Sequence, residues 1–360
     1  MSGKTFMLMA GGTGGHIFPA LAVADALRAR GHHVIWLGSE GAMETRIVPQ
    51  YDILLETLAI KGVRGNGIKR KLMLPFTLWK TIREAKRIIK KHRVSCVIGF
   101  GGFVTFPGGV AAKLSGVPIV IHEQNAVAGL ANKQLSRWAA RVLYAFPKAF
   151  EHENGLVGNP VRADIAALPA PAERFAGRGG RLKILVMGGS LGADVLNKTL
   201  PKALALLPEQ DRPQMYHQSG RNKLGTLQAD YDALGVEAEC VEFITDMVSA
   251  YRDADVVVCR AGALTIAELT AAGVGALLVP YPGAVDDHQT ANARFMVHAE
   301  AGLLLPQSQL TAEKLAEVLG GLTRAQCLEW AQHARTLALP ESADDVAEAA
   351  IAVLENGARS

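Results

Sequence analysis

Three short stretches of this chain pair glycine with a residue able to move a proton or hold a hydroxyl. They are GGTGGH at 11–16, GGSLGA at 188–193 and CRAGALTIAE at 259–268. Glycine lacks a Cβ, so backbone N–H groups can approach an oxyanion closely, and a helix start behind the loop adds a favourable dipole. His16 closes the first stretch; an imidazole titrating near neutrality suits a general base, and equally a structural role. Ser190 adds a hydroxyl donor to the second. In the third, residues 261–263 read as a helix start with N–H groups open to a diphosphate. Glu268 follows one turn on, where a carboxylate chelates two ribose hydroxyls or simply complements the helix dipole. Asp286, Asp287, His288 and Gln289 offer donors and acceptors suited to sugar hydroxyls, or alternatively a polar helix cap.

Some chemistries fit poorly. Neither of the first two loops matches G-x-G-x-x-G: after Gly12 and Gly14 the third position is Ile17. That counts against a nicotinamide enzyme, although Glu40 stands roughly where a ribose-binding acid falls. Asp253 and Asp255 form the D-x-D pattern of metal-using glycosyltransferases, but they precede an apolar strand and read better as a helix end and turn. Cys96, Cys240, Cys259 and Cys327 lack CxxC spacing, which argues against zinc or a disulfide framework. No metal ligand cluster and no cofactor are expected.

The elements behind these loops alternate. Apolar runs at 4–10, 33–37, 96–99, 118–122, 141–145, 183–187, 256–259 and 276–280 read as strands. Helical patterns fall at 19–29, 75–91, 197–207, 264–272 and 344–356, and a further glycine-rich loop at 99–109. Strand–helix alternation means a parallel α/β sheet. With 360 residues and matching loops in each half, the expectation is two Rossmann-like domains facing across a cleft, joined near 157–162.

Charge is uneven. Residues 61–93 hold twelve Lys or Arg against one acid, Glu84, while the whole chain nets only +4. One basic patch on a net-acidic remainder disfavours nucleic acid and favours an anionic surface. Within it Leu72, Phe76, Trp79 and Ile82 fall on one helix face, with Leu78, Ala85 and Ile89 on a core-facing stripe. Leu72, Phe76 and Trp79, rimmed by Lys69, Arg70, Lys71, Lys80, Arg83 and Lys86, suit docking at an anionic membrane surface; the alternative is a solvated basic face. No apolar run is long enough for a signal peptide or membrane span.

Together GGTGGH, GFGGFVTFPGG, HEQNAVAG (122–129), VGNPVR (157–162), MGGSLGA, HQSG (217–220), CRAGALTIAE and DDHQTANA (286–293) run in order through nearly the whole chain. In this the chain resembles the MurG family, bacterial peptidoglycan N-acetylglucosaminyltransferases that convert lipid I to lipid II. The resemblance implies a GT-B fold: an acceptor- and membrane-facing domain at 1–160, rejoined by a terminal helix at 341–360, and a UDP-GlcNAc-binding domain at 161–340. It implies donor contacts from Thr13, Gly14 and Gly15, with Asn125 near the sugar. Arg162 and Ser190 would serve the nucleotide-diphosphate end and the Ile244 backbone the uracil. Ala263, Leu264, Thr265, Ile266, Ala267 and Glu268 would hold phosphate and ribose, Gln289 the GlcNAc hydroxyls, and His16 would be the base. His288 departs from the family pattern, where some relatives have a second Gln. The resemblance further implies inversion by single displacement, a lipid I acceptor, the cytoplasmic face of the inner membrane as location, and room for other cell-wall synthesis proteins as partners. A UDP-GlcNAc 2-epimerase and a non-catalytic sugar-nucleotide-binding module share parts of the pattern. The basic amphipathic stripe speaks against both, because neither needs a lipid-linked acceptor.

Overall fold

The computed structural model describes residues 3–60, 68–150, 154–189 and 191–357, with the side chains of 68–74, Val285 and Gly357 left aside. Two compact units emerge: residues 1–161 with 339–360, and residues 162–338.

In the first unit the apolar runs become six parallel strands: β1 (Thr5–Ala10), β2 (His33–Ser39), β3 (Leu54–Leu58), β4 (Cys96–Gly101), β5 (Ile119–Glu123) and β6 (Arg141–Tyr144). Their spatial order is β3-β2-β1-β4-β5-β6. The second unit holds β7 (Lys183–Met187), β8 (Gln214–Gln218), β9 (Glu239–Val241), β10 (Val256–Cys259), β11 (Gly275–Leu278) and β12 (Gly302–Leu304), also all parallel. Its order, β12-β11-β10-β7-β8-β9, is the same topology read from the other edge. In both sheets the strand order reverses beside the first strand, and ligands of such sheets bind at the carboxyl ends of the strands there. The loops after β1 and β4, and after β7 and β10, are the glycine-rich ones.

Central strands are apolar on both faces because helices cover both. Phe6 and Leu8 pack with the Gly14–Ala29 helix side of the first core, while Met7 and Met9 enter the opposite cluster. Trp36 is fully buried and donates its Nε1–H to the Ala10 carbonyl at 2.9 Å, which fixes the end of β1 where the first loop departs. The Ser342–Gly357 helix puts Val346, Ala347 and Ala350 into that same core, and Arg30 clamps it through Asp344 and Glu348.

Several expectations change. The stretch 99–109 is not one loop: the chain turns at 102–104 and enters the Thr105–Lys113 helix. Gly108 and Gly109 lie inside that helix because Met9, Leu37 and Leu135 leave no room for a Cβ. The helix expected at 75–91 starts earlier and runs Ile68–Lys91, with Pro75 inside it. Ile82 packs against the core cluster with Ala85, Ile88 and Ile89 and does not join the exposed stripe. Strands β3, β8, β9 and β12 were not anticipated.

Of the D-x-D pair, Asp253 is exposed and Asp255 is held in the fold. Asp255 is buried, and its two oxygens accept from Arg178 at 2.7 Å, Arg324 at 3.3 Å and the Lys183 backbone N–H at 2.9 Å. Among the described residues no group of three or more His, Cys, Asp or Glu can hold a metal ion. Removing the carboxylate leaves two guanidinium groups facing one another. Asp255→Ala should therefore lower stability by about 3–5 kcal/mol, seen as a lower urea midpoint for the second unit. A midpoint within error of wild type would show that water replaces the carboxylate.

Candidate functional site

In the first unit the chain leaves β1 through Gly11, Gly12 and Thr13 and enters the Gly14–Ala29 helix. Thr13 is the extended N-cap residue, and its carbonyl accepts from the His16 and Ile17 N–H groups. The N–H groups of Gly14 and Gly15 have no partner among the described residues, so they remain donors at a helix start. Gly12 is different. Its N–H donates to Glu44 Oε2 at 3.0 Å, and Ser39 N–H donates to Glu44 Oε1 at 2.8 Å. Glu44 is fully buried under the loop. An acid sits where part of an oxyanion cradle was expected, which narrows the loop's open donors to its helix end. Glu40, four residues earlier, is exposed and is not that acid.

His16 stands against the β4 loop. A Cβ on Gly101 would collide with its imidazole, and Gly101 has φ of +119°, so the position is closed to other residues twice over. His16 Nδ1 lies 2.8 Å from Gln124 Oε1. Gln124 Nε2 in turn lies 2.9 Å from His122 Nδ1, and His122 Nε2 lies 2.8 Å from the Gly158 carbonyl. His122 is fully buried, and loss of hydration pushes its pKa down to about 4. Beside it, buried Glu123 organises the following turn. Its Oε1 accepts from the backbone and side-chain amides of Asn125, and its Oε2 from Gly129 N–H and Asn132 Nδ2. Asn125 is thus oriented by its neighbour, and both reach the His16 region through Gln124.

In the second unit the Ala263–Ala272 helix begins after the extended residue Gly262. Its first internal bond is Ile266 N–H to the Gly262 carbonyl; Ala263, Leu264 and Thr265 keep N–H groups without partners among the described residues. Glu268 lies one turn on. Its Oε2 accepts from the hydroxyl of fully buried Tyr251 at 2.9 Å. Burial raises the Glu268 pKa to about 7, against the lowering effects of the Tyr251 bond and the Arg162 charge; Asp164 adds to the rise. Arg162 itself ion-pairs with Asp164 at the start of the Ala163–Ala166 turn. Gln289 Oε1 accepts from Ala261 N–H at 3.3 Å and Tyr281 N–H at 2.9 Å. Backbone N–H groups require an acceptor, so the amide orientation is fixed and Nε2 is the end left to donate.

Ile244 is buried, and its N–H is already bonded to Gln218 Oε1 at 3.0 Å, while Gln218 Nε2 donates to the Gly189 carbonyl at 3.0 Å. A backbone contact from Ile244 to a ligand therefore falls to its carbonyl unless Gln218 moves. Ser190 lies outside the described residues, as does the Leu72 side chain. Phe76 and Trp79 are 61% and 56% exposed and stack with ring centroids 6.1 Å apart. Arg83 lies 5.4 Å over the Trp79 ring.

The chain matches the glycosyltransferase family 28 N-terminal domain over residues 6–144 and the family 28 C-terminal domain over residues 183–346. It is 86% identical over 352 residues to a Neisseria meningitidis serogroup A protein named UDP-N-acetylglucosamine–N-acetylmuramyl-(pentapeptide) pyrophosphoryl-undecaprenol N-acetylglucosamine transferase, covering 98% of this chain and 99% of that one. A protein of the same name from Dechloromonas aromatica is 53% identical, covering 96% and 97%. The crystal structure of Acinetobacter baumannii MurG superposes with a TM-score of 0.86 at 42% identity, covering 97% of this chain and 99% of that one. The chain belongs to the MurG family. Its two six-stranded parallel sheets form the two-domain GT-B fold.

Membership of the MurG family does not by itself assign roles, and Glu44, Glu123, Gln124, Gln218 and Tyr251 carried no assignment from sequence. All five are buried polar groups; Glu123 bonds residues just downstream of it, while Glu44, Gln124, Gln218 and Tyr251 each have a partner from another element. The motif letters of 122–129 and 217–220 were the signal for three of them; nothing marked Glu44 or Tyr251. Carboxyl-selective NMR should show Glu268 titrating near pH 7. Tyr251→Phe deletes the bond that holds the carboxylate charged, so the midpoint should move up. A midpoint that stays put or falls would remove Tyr251 as its controlling partner.

Proposed function

We propose that this chain transfers GlcNAc from UDP-GlcNAc to the C4 hydroxyl of the MurNAc unit in lipid I, with inversion, giving lipid II. The observation that carries the reading is the ten-residue Ala263–Ala272 helix, which joins three N–H groups without internal partners to the Glu268 carboxyl one turn on. That pairing suits a nucleoside diphosphate: phosphate at the helix start, ribose diol at the acid. The MurG-family relatives support the sugar and the acceptor.

In this reading the acceptor oxygen attacks the anomeric carbon as the bond to the UDP phosphate oxygen breaks. His16 takes the acceptor proton, and the N–H groups of Ala263, Leu264 and Thr265 stabilise the charge that builds on UDP. Arg162 and Ser190 serve the nucleotide-diphosphate end, the Ile244 carbonyl the uracil, and Ile266 and Ala267 shape the helix beneath. Gln289 offers N–H donors alone to the GlcNAc hydroxyls. Thr13, Gly14, Gly15 and Asn125 serve the donor from the first unit. His288 receives no role.

The acceptor is anchored in lipid, and no helix among the described residues is long and apolar enough to cross a membrane. Docking at the cytoplasmic face of the inner membrane falls to the Ile68–Lys91 helix. There Phe76 and Trp79 are exposed, Lys80, Arg83 and Lys86 surround them, and Leu72 precedes them in sequence. Each fully buried apolar side chain contributes roughly 1.5–3 kcal/mol, and each nearby cation about 1 kcal/mol at low salt.

Incubation with UDP-GlcNAc and a lipid I analogue should yield a lipid II-type product. Loss of UDP-GlcNAc to epimerised sugar, with no transfer to the acceptor, would favour the epimerase reading. His16→Ala should lower kcat by about 10²–10⁴-fold while UDP affinity holds; an unchanged kcat would leave His16 a loop-shaping residue. Ribose chelation needs the charged acid, so UDP-GlcNAc affinity should weaken as pH falls through about 7. Glu268→Gln should flatten that dependence at weaker affinity. Replacing Phe76 and Trp79 together by Ser should weaken vesicle binding and turnover on membrane-embedded acceptor, with turnover on a short-chain soluble acceptor near wild type. Co-sedimentation insensitive to both the substitutions and high salt would place docking elsewhere.

A further inference from the structure

The groups behind His16 form a directed chain. A carbonyl oxygen only accepts, so the contact between His122 Nε2 and the Gly158 carbonyl puts the proton on Nε2. His122 is fully buried and uncharged near neutrality, so its Nδ1 carries a lone pair and accepts. The Gln124 amide nitrogen faces that lone pair at 2.9 Å and the His122 carbonyl at 2.9 Å, two acceptors that fix which end of the amide is nitrogen. Gln124 Oε1 therefore faces His16 Nδ1, at 2.8 Å, and only accepts. The consequence reaches the loop: Nδ1 of His16 must bear its proton, leaving the lone pair on Nε2.

We propose that Gln124 and His122 are positioning residues that lock His16 in the Nδ1–H tautomer and so keep Nε2 as the proton acceptor. The inference deepens the reading of His16 as the base and its catalytic consequence rests on it. The chain is neutral from end to end. A carboxylate behind the imidazole would fix the same tautomer but also stabilise the imidazolium, whereas an amide orients without that charge. Burial supports the lock, because Gln124 and His122 are both almost fully enclosed and Gly101 closes against the His16 ring.

Nitrogen-15 spectra of histidine-labelled protein read the tautomer directly, with His16 assigned by its loss in His16→Ala. Wild type should show protonated Nδ1 and unprotonated Nε2. Gln124→Met, similar in shape but offering only a weak thioether acceptor, should shift His16 toward the Nε2–H form. Its kcat should fall by about 10–10²-fold with little change in KM for UDP-GlcNAc. Gln124→Glu still accepts from Nδ1, so it should keep the Nδ1–H tautomer and the kcat that Gln124→Met loses. Its second oxygen takes the place of Nε2 opposite the His122 Nδ1 lone pair and the His122 carbonyl, so it carries the proton that Nε2–H supplied and the chain stays neutral. Circular dichroism and thermal melting accompany each variant, and Gln124→Glu carries the test should Gln124→Met fail to fold. An Nε2–H His16 in wild type overturns the proposal. So does an Nε2–H His16 in folded Gln124→Glu, or an unmoved tautomer in folded Gln124→Met. An Nδ1–H His16 in wild type together with full turnover in His16→Ala would sink the base reading alone and leave the lock standing as a structural feature.

Discussion

A helix start has N–H groups to offer only because the strand before it ends and the chain turns at once. β10 stops at Cys259, Gly262 is extended, and the next helix begins at Ala263, so no carbonyl of its own turn reaches Ala263, Leu264 or Thr265. β1 and the Gly14–Ala29 helix repeat the arrangement in the other unit. Parallel pairing imposes this on both sheets. It puts every strand's carboxyl end on one edge, and the reversal of order beside β1 and β7 separates neighbouring crossovers there. The chemistry then depends on which of those edge groups the protein pairs internally and which it leaves open.

That selection is made by buried and half-buried polar side chains. Glu44 takes the Gly12 N–H, Gln218 takes the Ile244 N–H, and Gln289 takes those of Ala261 and Tyr281. A buried N–H without a partner costs roughly 1–3 kcal/mol, so the fully buried Ile244 bond stabilises its loop most and the exposed Tyr281 bond least. Each also removes a donor from the ligand's reach. The two helix starts consequently differ. The second-unit helix start keeps three N–H groups in a row beside a titrating acid, which favours an anionic ligand. The first-unit loop carries an acid beneath it and an oriented imidazole beside it, which favours a hydroxyl about to lose its proton.

Much of the fold was legible because central parallel strands are apolar on both faces. The runs at 183–187 and 256–259 coincide with β7 and β10. β9 and β12 escaped notice because they are three-residue edge strands, and β3 because an edge strand can expose Leu54. β8 was obscured for another reason. QMYHQ looks polar, yet His217 is buried between Tyr231 and Asn197 and Gln218 bridges two loops. Desolvation pushes the His217 pKa down to about 3, which keeps it a neutral partner. Residue types at the site were legible, since glycines before a helix and an acid one turn in leave a local trace. Their partners were not, because Glu44 meets the loop from 32 residues away and Gln124 meets His16 from 108.

The charge state of Glu268 shows how such partners decide what a legible residue can do. Left to burial alone, the acid would favour its protonated form, in which one oxygen becomes a donor and diol chelation is weakened. The Tyr251 hydroxyl and the Arg162 guanidinium both pull the other way. Arg162, however, also pairs with Asp164, whose own charge works against ionisation of Glu268. A ligand phosphate that drew Arg162 from Asp164 would bring a second negative charge toward the acid as well. Holding the carboxylate ionised then falls to Tyr251, which is fully buried, has a pKa raised well above its ordinary value, and stays a donor throughout. The neutral Tyr251 donor opposes protonation of the acid more than the Arg162 cation does. The same logic applies to the neutral amide behind His16: in both units a buried uncharged group sets the protonation of the residue proposed to meet the ligand.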